Sequence, residues 1–178
     1  VDEDRIPTRH WYAVHTRSRH EKDVTDELEK IPVDYYLPVT ERERRWKDRR
    51  KKMEVPLFPG YVFVREDFSG EEGWLRKMHV LKARGAVKIL STPDGDPIPV
   101  PDQEIYNVRT VLEKQLKVDP YHYDFYPGQP LRIRKGPLQG VEGILIERKG
   151  IHLLILQVHL LCQAVAVTLP AADVEAAG

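Results

Sequence analysis

The chain has 178 residues, with 28 Lys plus Arg against 28 Asp plus Glu, 41% hydrophobic and 31% charged residues, 14 prolines, 11 glycines and one cysteine. This composition supplies both a core and a solvated surface and excludes disorder throughout. The richest apolar run, Ile151 to Leu161, is interrupted by His152, Gln157 and His159 and falls short of the roughly 18 residues that a membrane span needs. No membrane segment or signal-peptide pattern is expected, the lone Cys162 has no partner for an internal disulfide, and the default location is cytoplasmic.

Trp11-Tyr12-Ala13-Val14-His15 is aromatic and β-favouring, and Ser18-Arg19-His20-Glu21 after it has the pattern of a capping box opening a helix. Val24, Leu28 and Ile31 recur at helical spacing until Pro32 stops the helix. Val33 to Val39 is rich in β-formers, and Val55 to Val64 resumes a strand pattern. Between them, Arg42, Arg44, Arg45, Lys47, Arg49, Arg50, Lys51 and Lys52 face only Glu43 and Asp48, a local positive excess inside a neutral chain. That charged hairpin serves either as a solvated loop or as a contact to something anionic.

Ser69-Gly70-Glu71-Glu72 is a second capping box, leading into a helix with Trp74, Leu75 and Met78, and Ala86 to Leu90 reads as a short strand. The order β-α-β-β-α-β predicts an α+β fold of the ferredoxin-like split type, two helices covering one face of a four-stranded antiparallel sheet and the other face left free. A third helix from Asp102 through about Leu116, with Ile105, Val108 and Leu112 on one side, is expected on the edge of this domain. Lys117 to Pro127, with two prolines and the aromatic residues Tyr121, Tyr123, Phe125 and Tyr126, reads as a linker. Beyond it, strand candidates at Leu131–Ile133, Val141–Glu147, Ile151–Val158 and Ala164–Leu169 alternate with turns at Gly136-Pro137, Gly140 and Gly150, which predicts a small β-barrel.

No chemistry-bearing constellation stands out. The seven histidines never approach metal-ligand spacing with Cys162, and no phosphate loop, nucleophile elbow or His-Glu-x-x-His is present. The expectation is a protein that is not an enzyme and needs no cofactor or metal, with Cys162 a buried small apolar residue.

The segments Trp11-Tyr12, Arg17-Ser18-Arg19-His20-Glu21-Lys22, Pro56-Leu57-Phe58-Pro59-Gly60-Tyr61-Val62-Phe63-Val64, Gly128, Gly136-Pro137-Leu138 and Gly140-Val141-Glu142-Gly143 together resemble the NusG family of transcription elongation factors. The resemblance covers roughly residues 9 to 175. It implies a NusG N-terminal (NGN) domain over 9–116, a linker over 117–127 and an SH3-like KOW barrel over 128–175. The basic hairpin and the Arg17–Lys22 segment look closer to the specialised UpxY and RfaH paralogues than to housekeeping NusG.

What the resemblance implies is a monomer that grips the clamp helices of the largest RNA polymerase subunit and suppresses pausing and termination. His15, Tyr61, Phe63 and Leu90 match positions of the clamp-binding surface, and strand alternation puts Tyr61 and Phe63 on the free face with Val62 and Val64 in the core. Arg17, His20 and Arg84 match positions that touch nontemplate DNA, although Asp23 falls where such a paralogue carries a basic residue. Arg45 and Arg49 of the hairpin are candidates for upstream DNA. The RfaH polar trio is missing, Arg76, Lys77 and Met78 standing near its place. In the barrel, Leu138 and Leu161 match positions that meet ribosomal protein NusE or the termination factor Rho, and either could equally be barrel core.

Two rivals remain at this point. Gly60-Tyr61-Val62-Phe63-Val64 approaches an RNA-recognition motif, but Pro59 and Glu66 stand where that motif carries a basic residue and an aromatic. A translation-associated KOW protein would bind RNA through Arg132, Arg134 and Lys135. The segment Ile151–Val167 also admits a helical reading, although its β-branched residues favour strands.

Overall fold

The computed structural model describes residues 8–46, 49–121, 129–148 and 150–169. By contacts the chain divides into two units, one built from residues up to 37 together with 58–101, the other from 38–57 together with residues from 102 onward.

The first unit contains strand β1 (His10–Thr16), helix α1 (Glu21–Leu28), β2 (Asp34–Tyr36), then, after a hairpin of β3 (Val39–Trp46) and β4 (Arg49–Pro56) that belongs to the other unit, β5 (Tyr61–Glu66), α2 (Gly70–Leu81), β6 (Ala86–Ile89) and β7 (Pro99–Val100). The strands run in the order β2-β5-β1-β6, all antiparallel, with β7 added beside β1. This is the expected split β-α-β order with a hairpin inserted between its second and third strands. Tyr12 and Val14 of β1, Val62 and Val64 of β5, Val24 and Leu28 of α1, Val80 and Ala83 at the end of α2, and Ile89 form one buried cluster. Burying side chains of this size stabilises by about 1.5–3 kcal/mol each, which is what holds both helices to one sheet face. Burial, with the Asp67 carboxylate adding, pushes the Tyr12 phenol up, so its hydroxyl stays protonated inside this cluster.

Both capping boxes differ from expectation. Ser18 lies too early, because α1 begins at Glu21 and is flanked by His20, with no side-chain cap. Glu21 instead accepts the Gly60 N–H at 2.7 Å, a long-range bond no local pattern encodes. Ser69 does precede α2 in extended conformation, but its hydroxyl donates to Asp67 rather than capping the helix, and Glu72 pairs with Arg76. Trp74 and Leu75 on α2 remain 61% and 50% exposed, so the inner side of that helix is made by Gly73 and Val80 rather than by its largest apolar residues.

In the second unit, β8 (Val118–Tyr121), β9 (Gln129–Arg132), β10 (Glu142–Arg148), β11 (Ile151–Val158) and β12 (Gln163–Leu169) form an antiparallel sheet in the order β8-β12-β11-β10-β9. Four residues expected in the linker are therefore a strand, whereas Tyr123, Phe125, Tyr126 and Gly128 lie outside the described residues. The segment after Ile151 is strand, with a one-turn 3-10 helix at His159–Leu161.

Helix α3 (Asp102–Glu113) departs from its expected place on the edge of the first domain. It packs on β11 and bonds repeatedly to this sheet: Asn107 Nδ2 donates to the Glu142 carbonyl at 2.8 Å and Asn107 Oδ1 accepts the Glu142 N–H at 3.0 Å. Gln103 donates to the Gly140 carbonyl, Tyr106 to the Gln139 carbonyl, and Glu104 accepts from His159 Nδ1 at 2.6 Å. The apolar stripe Ile105, Val108 and Val111 is buried. A stripe defines which side of a helix is apolar but not which sheet it meets; here that is decided by the polar side chains between.

Candidate functional site

On the sheet face away from the helices, β1 and β5 place Ala13 opposite Phe63 and His15 opposite Tyr61. Successive strand residues alternate between faces, so Val62 and Val64 enter the helix-covered core while Tyr61 and Phe63 take the other side, as expected from the sequence. That side is not open throughout. Phe63 is 0% exposed, and Trp11, Ala13 and Phe58 beside it on this side of the chain are buried as well. The expectation of an uncovered Phe63 is thus corrected. The turn before β5, with Gly60 at φ +85°, brings Phe58 back so that its ring meets Phe63 edge-on at 6.1 Å between centroids. Such aromatic pairs add roughly 0.5–1.5 kcal/mol to the burial itself, which favours a closed pair over two exposed rings. What remains accessible is a rim: His15, Tyr61 and Leu90 are each half-buried, and the His15 and Tyr61 rings lie 5.4 Å apart.

Next to this rim the structure brings Arg17, His20 and Arg84 together. The Thr16 N–H donates to the Gly60 carbonyl and the Arg17 N–H to the Gly85 carbonyl, both at 2.8 Å. The irregularity in β1–β6 pairing between His15 and Thr16 allows the chain to turn at this point. Arg19, at φ +63°, reverses it before α1, and the His20 Nδ1–H donates to the Ser18 carbonyl at 2.9 Å, leaving Nε2 for a ligand. Arg17, Arg19 and Arg84 are exposed and His20 half-buried. The carboxylate of Glu21, buried and committed to Gly60, is turned inward, so the outer surface of this turn is cationic apart from Asp23. Guanidinium groups around a stackable imidazole can meet phosphates and unpaired bases.

Sequence reasoning missed Arg19 and Gly85. The only sequence signal for Gly85 is its position after Arg84 at the entry to β6. Gly85 sits at φ +100°, and a Cβ there would lie 2.5 Å from His20 Cβ. Gly85→Ala is therefore expected to displace the imidazole and to cost about 1–3 kcal/mol by overpacking, read as a shift of the His20 ring resonances together with a lower melting temperature.

The remaining candidates are placed differently. The backbone positions of Arg45 and Arg49 are described on β3 and β4, but Lys47 and Asp48 lie outside the described residues. Leu138 and Leu161 are 1% and 8% exposed, which makes them core of the C-terminal unit and not its outer surface. Cys162, expected to be buried, is exposed at φ +51° in the turn that ends the 3-10 helix. Arg76 is bonded to Glu72 and to the Asp67 carbonyl, and Lys77 donates to the Gly95 carbonyl, so both are committed within the unit. Among the described residues no group of three His, Cys, Asp or Glu could hold a metal ion, and no helix is long and apolar enough to cross a membrane.

A family profile described as "NusG: Transcription termination factor nusG" matches residues 9–109, which takes in all of the first unit's strands and helices and most of α3. The chain belongs to the NusG family. NusG proteins are transcription factors and not enzymes. Curated relatives include the transcription termination/antitermination proteins NusG of Borreliella burgdorferi, 26% identical over 78% of this chain and 82% of that protein, and of Haemophilus influenzae, 25% identical over 83% and 82%. Among solved structures, one titled "Domain interaction in Thermotoga maritima NusG" superposes with a TM-score of 0.55 at 22% identity, covering 93% of this chain and 96% of that one, and shares its fold of an α+β N-terminal domain and an all-β C-terminal domain.

Proposed function

We propose that this NusG-family protein holds the clamp helices of the largest RNA polymerase subunit through the rim of His15, Tyr61 and Leu90 and thereby suppresses pausing and termination. Membership of the family implies binding to RNA polymerase. The observation that carries the reading is the half-buried His15–Tyr61 ring pair at 5.4 Å, adjoining the cationic turn through Thr16 and Gly60. Phe63, being sealed, does not itself touch the polymerase in this reading. Partly exposed aromatic anchors on a rigid sheet supply most of the energy of such interfaces.

In this reading residues 9–116 act on the polymerase, Arg17, His20 and Arg84 meet the nontemplate strand beside it, and Arg45 and Arg49 of the hairpin approach upstream DNA, in the manner of the UpxY and RfaH paralogues. Residues 128–175 act as the KOW domain and recruit ribosomal protein NusE or Rho. Leu138 and Leu161, both buried, shape that surface from inside. The rival RNA-recognition reading needs two exposed rings for base stacking, and with Phe63 buried only Tyr61 is available.

Tyr61→Ala is expected to weaken retention by core polymerase at least tenfold, on the order of 1.4 kcal/mol or more, with little change in melting temperature. Retention at full affinity would remove the rim as the site. Pause assays on templates that differ only in the nontemplate strand should respond to Arg84→Ala in a sequence-dependent way.

A further inference from the structure

The basic hairpin is a two-stranded sheet of its own, with β3 and β4 paired from Val39 opposite Pro56 to Trp46 opposite Arg49. Its register sorts charge in a way the sequence does not show. Because strand positions alternate between faces, one face carries positions 40, 42, 44 and 46 of β3 with 49, 51, 53 and 55 of β4. Those positions hold four cations, Arg42, Arg44, Arg49 and Lys51, together with Trp46 and Met53, and no carboxylate. The opposite face carries Glu41, Glu43 and Glu54 against Arg45, Arg50 and Lys52, three acids to three bases. Neutralisation on that second face is visible in the ion pair of Lys52 Nζ with Glu41 Oε2 at 3.2 Å. Met53, on the cationic face, is 41% exposed, and Arg42 beside it is exposed too.

On the cationic face the register also sets Arg44 directly opposite Lys51. A like-charged pair across two strands is destabilising, and a polyanion lying along that face would offset it.

We infer that this one face of the hairpin is a duplex-DNA backbone site, with Arg42, Arg44, Arg49 and Lys51 as its phosphate contacts, and that the Arg45 face takes no part. The inference rests on the DNA-facing role proposed for the hairpin and changes which residues carry it: Arg49 is retained and Arg45 is excluded. Duplex DNA is the occupant because a two-stranded ribbon fits a groove about 12 Å wide.

The test uses the full chain and a duplex of about 30 base pairs, with binding measured by fluorescence anisotropy across a range of salt. Replacing Arg42, Arg44, Arg49 and Lys51 together by Gln should flatten the slope of log K against log salt by about 3.6, at about 0.9 per lost phosphate contact. Replacing Arg45, Arg50 and Lys52 by Gln should leave the slope within about one unit of the native value. Restoring the four positions as Lys should restore the slope, which separates charge loss from a disrupted hairpin. Equal flattening by both sets, no flattening by either, or tighter binding of the same sequence as a single strand would overturn the inference. Polymerase retention by the four-Gln variant is measured alongside: retention with lost duplex binding supports the site, and retention with unchanged duplex binding refutes the site while leaving the polymerase reading standing. Should the native chain bind duplex through this face yet fail to bind polymerase, the site is supported and the proposed function is the part that falls.

Discussion

Replacing Phe63 by alanine should destabilise the first unit by about 3–5 kcal/mol, the range for removing a buried aromatic side chain from a packed core. Phe63 is 0% exposed, its ring meets Phe58 edge-on at 6.1 Å, and its strand neighbours Val62 and Val64 are equally buried on the opposite face. A cavity at this position leaves both sides of β5 poorly held. The loss should appear as faster hydrogen exchange at the Val62 and Val64 amides and as a lower urea midpoint, whereas Phe63→Leu, closer in volume, should cost under about 1.5 kcal/mol. The comparison with Tyr61 is the informative one. Tyr61, half-buried on the same face, should lose polymerase binding on truncation while the fold persists. If Phe63→Ala instead kept its stability and lost only polymerase binding, the ring would have to be reachable by a partner, contrary to its burial.

Asn107→Ala is expected to release α3 from the C-terminal sheet. The amide of Asn107 makes two bonds to the Glu142 backbone and accepts a third from Gln103 Nε2 at 2.8 Å, and the residue is 6% exposed. Each partner left unsatisfied in a buried place costs about 1–3 kcal/mol, so the substitution should cost about 2–4 kcal/mol in all. Gln103→Ala removes only the bonds to Asn107 and to the Gly140 carbonyl and should cost about half as much. Faster exchange at the amides of Leu154 and Leu156 on β11, with the Val62 and Val64 amides unchanged, would show the effect confined to the second unit. Unchanged exchange at β11 would mean that the helix is held there by its apolar stripe alone.

These two residues mark how much was legible. Phe63 belongs to a run whose alternation is plain in the letters, and its assignment to the face away from the helices needed nothing more. That Phe58, five residues earlier, folds back through the turn at Gly60 onto Phe63 could not be read, because alternation carries no information about turns. Asn107 gave no signal at all. It sits between Ile105 and Val108 on an amphipathic helix, and its partner at Glu142 is 35 residues away in the chain. Of the candidate contacts, Arg17, His20 and Arg84 were readable individually, but their meeting depends on the Arg17 N–H reaching the Gly85 carbonyl. Cys162 is exposed in a left-handed turn, which no neighbour in the sequence announces.

By itself the sequence determined the family, the β-α-β-β-α-β order and the strands other than the β3–β4 ribbon, β7 and β8, because periodicity, turn residues and the FPGYVFV run are local and survive without knowledge of neighbours. Only the tertiary structure decided which sheet α3 serves, which ring on the free face stays reachable, and which side of the basic hairpin is left without carboxylates. All three are matters of register and long-range contacts: a one-residue change of pairing between β3 and β4 would set Glu54 on the face of Arg42 and Arg44 without altering a letter of the chain.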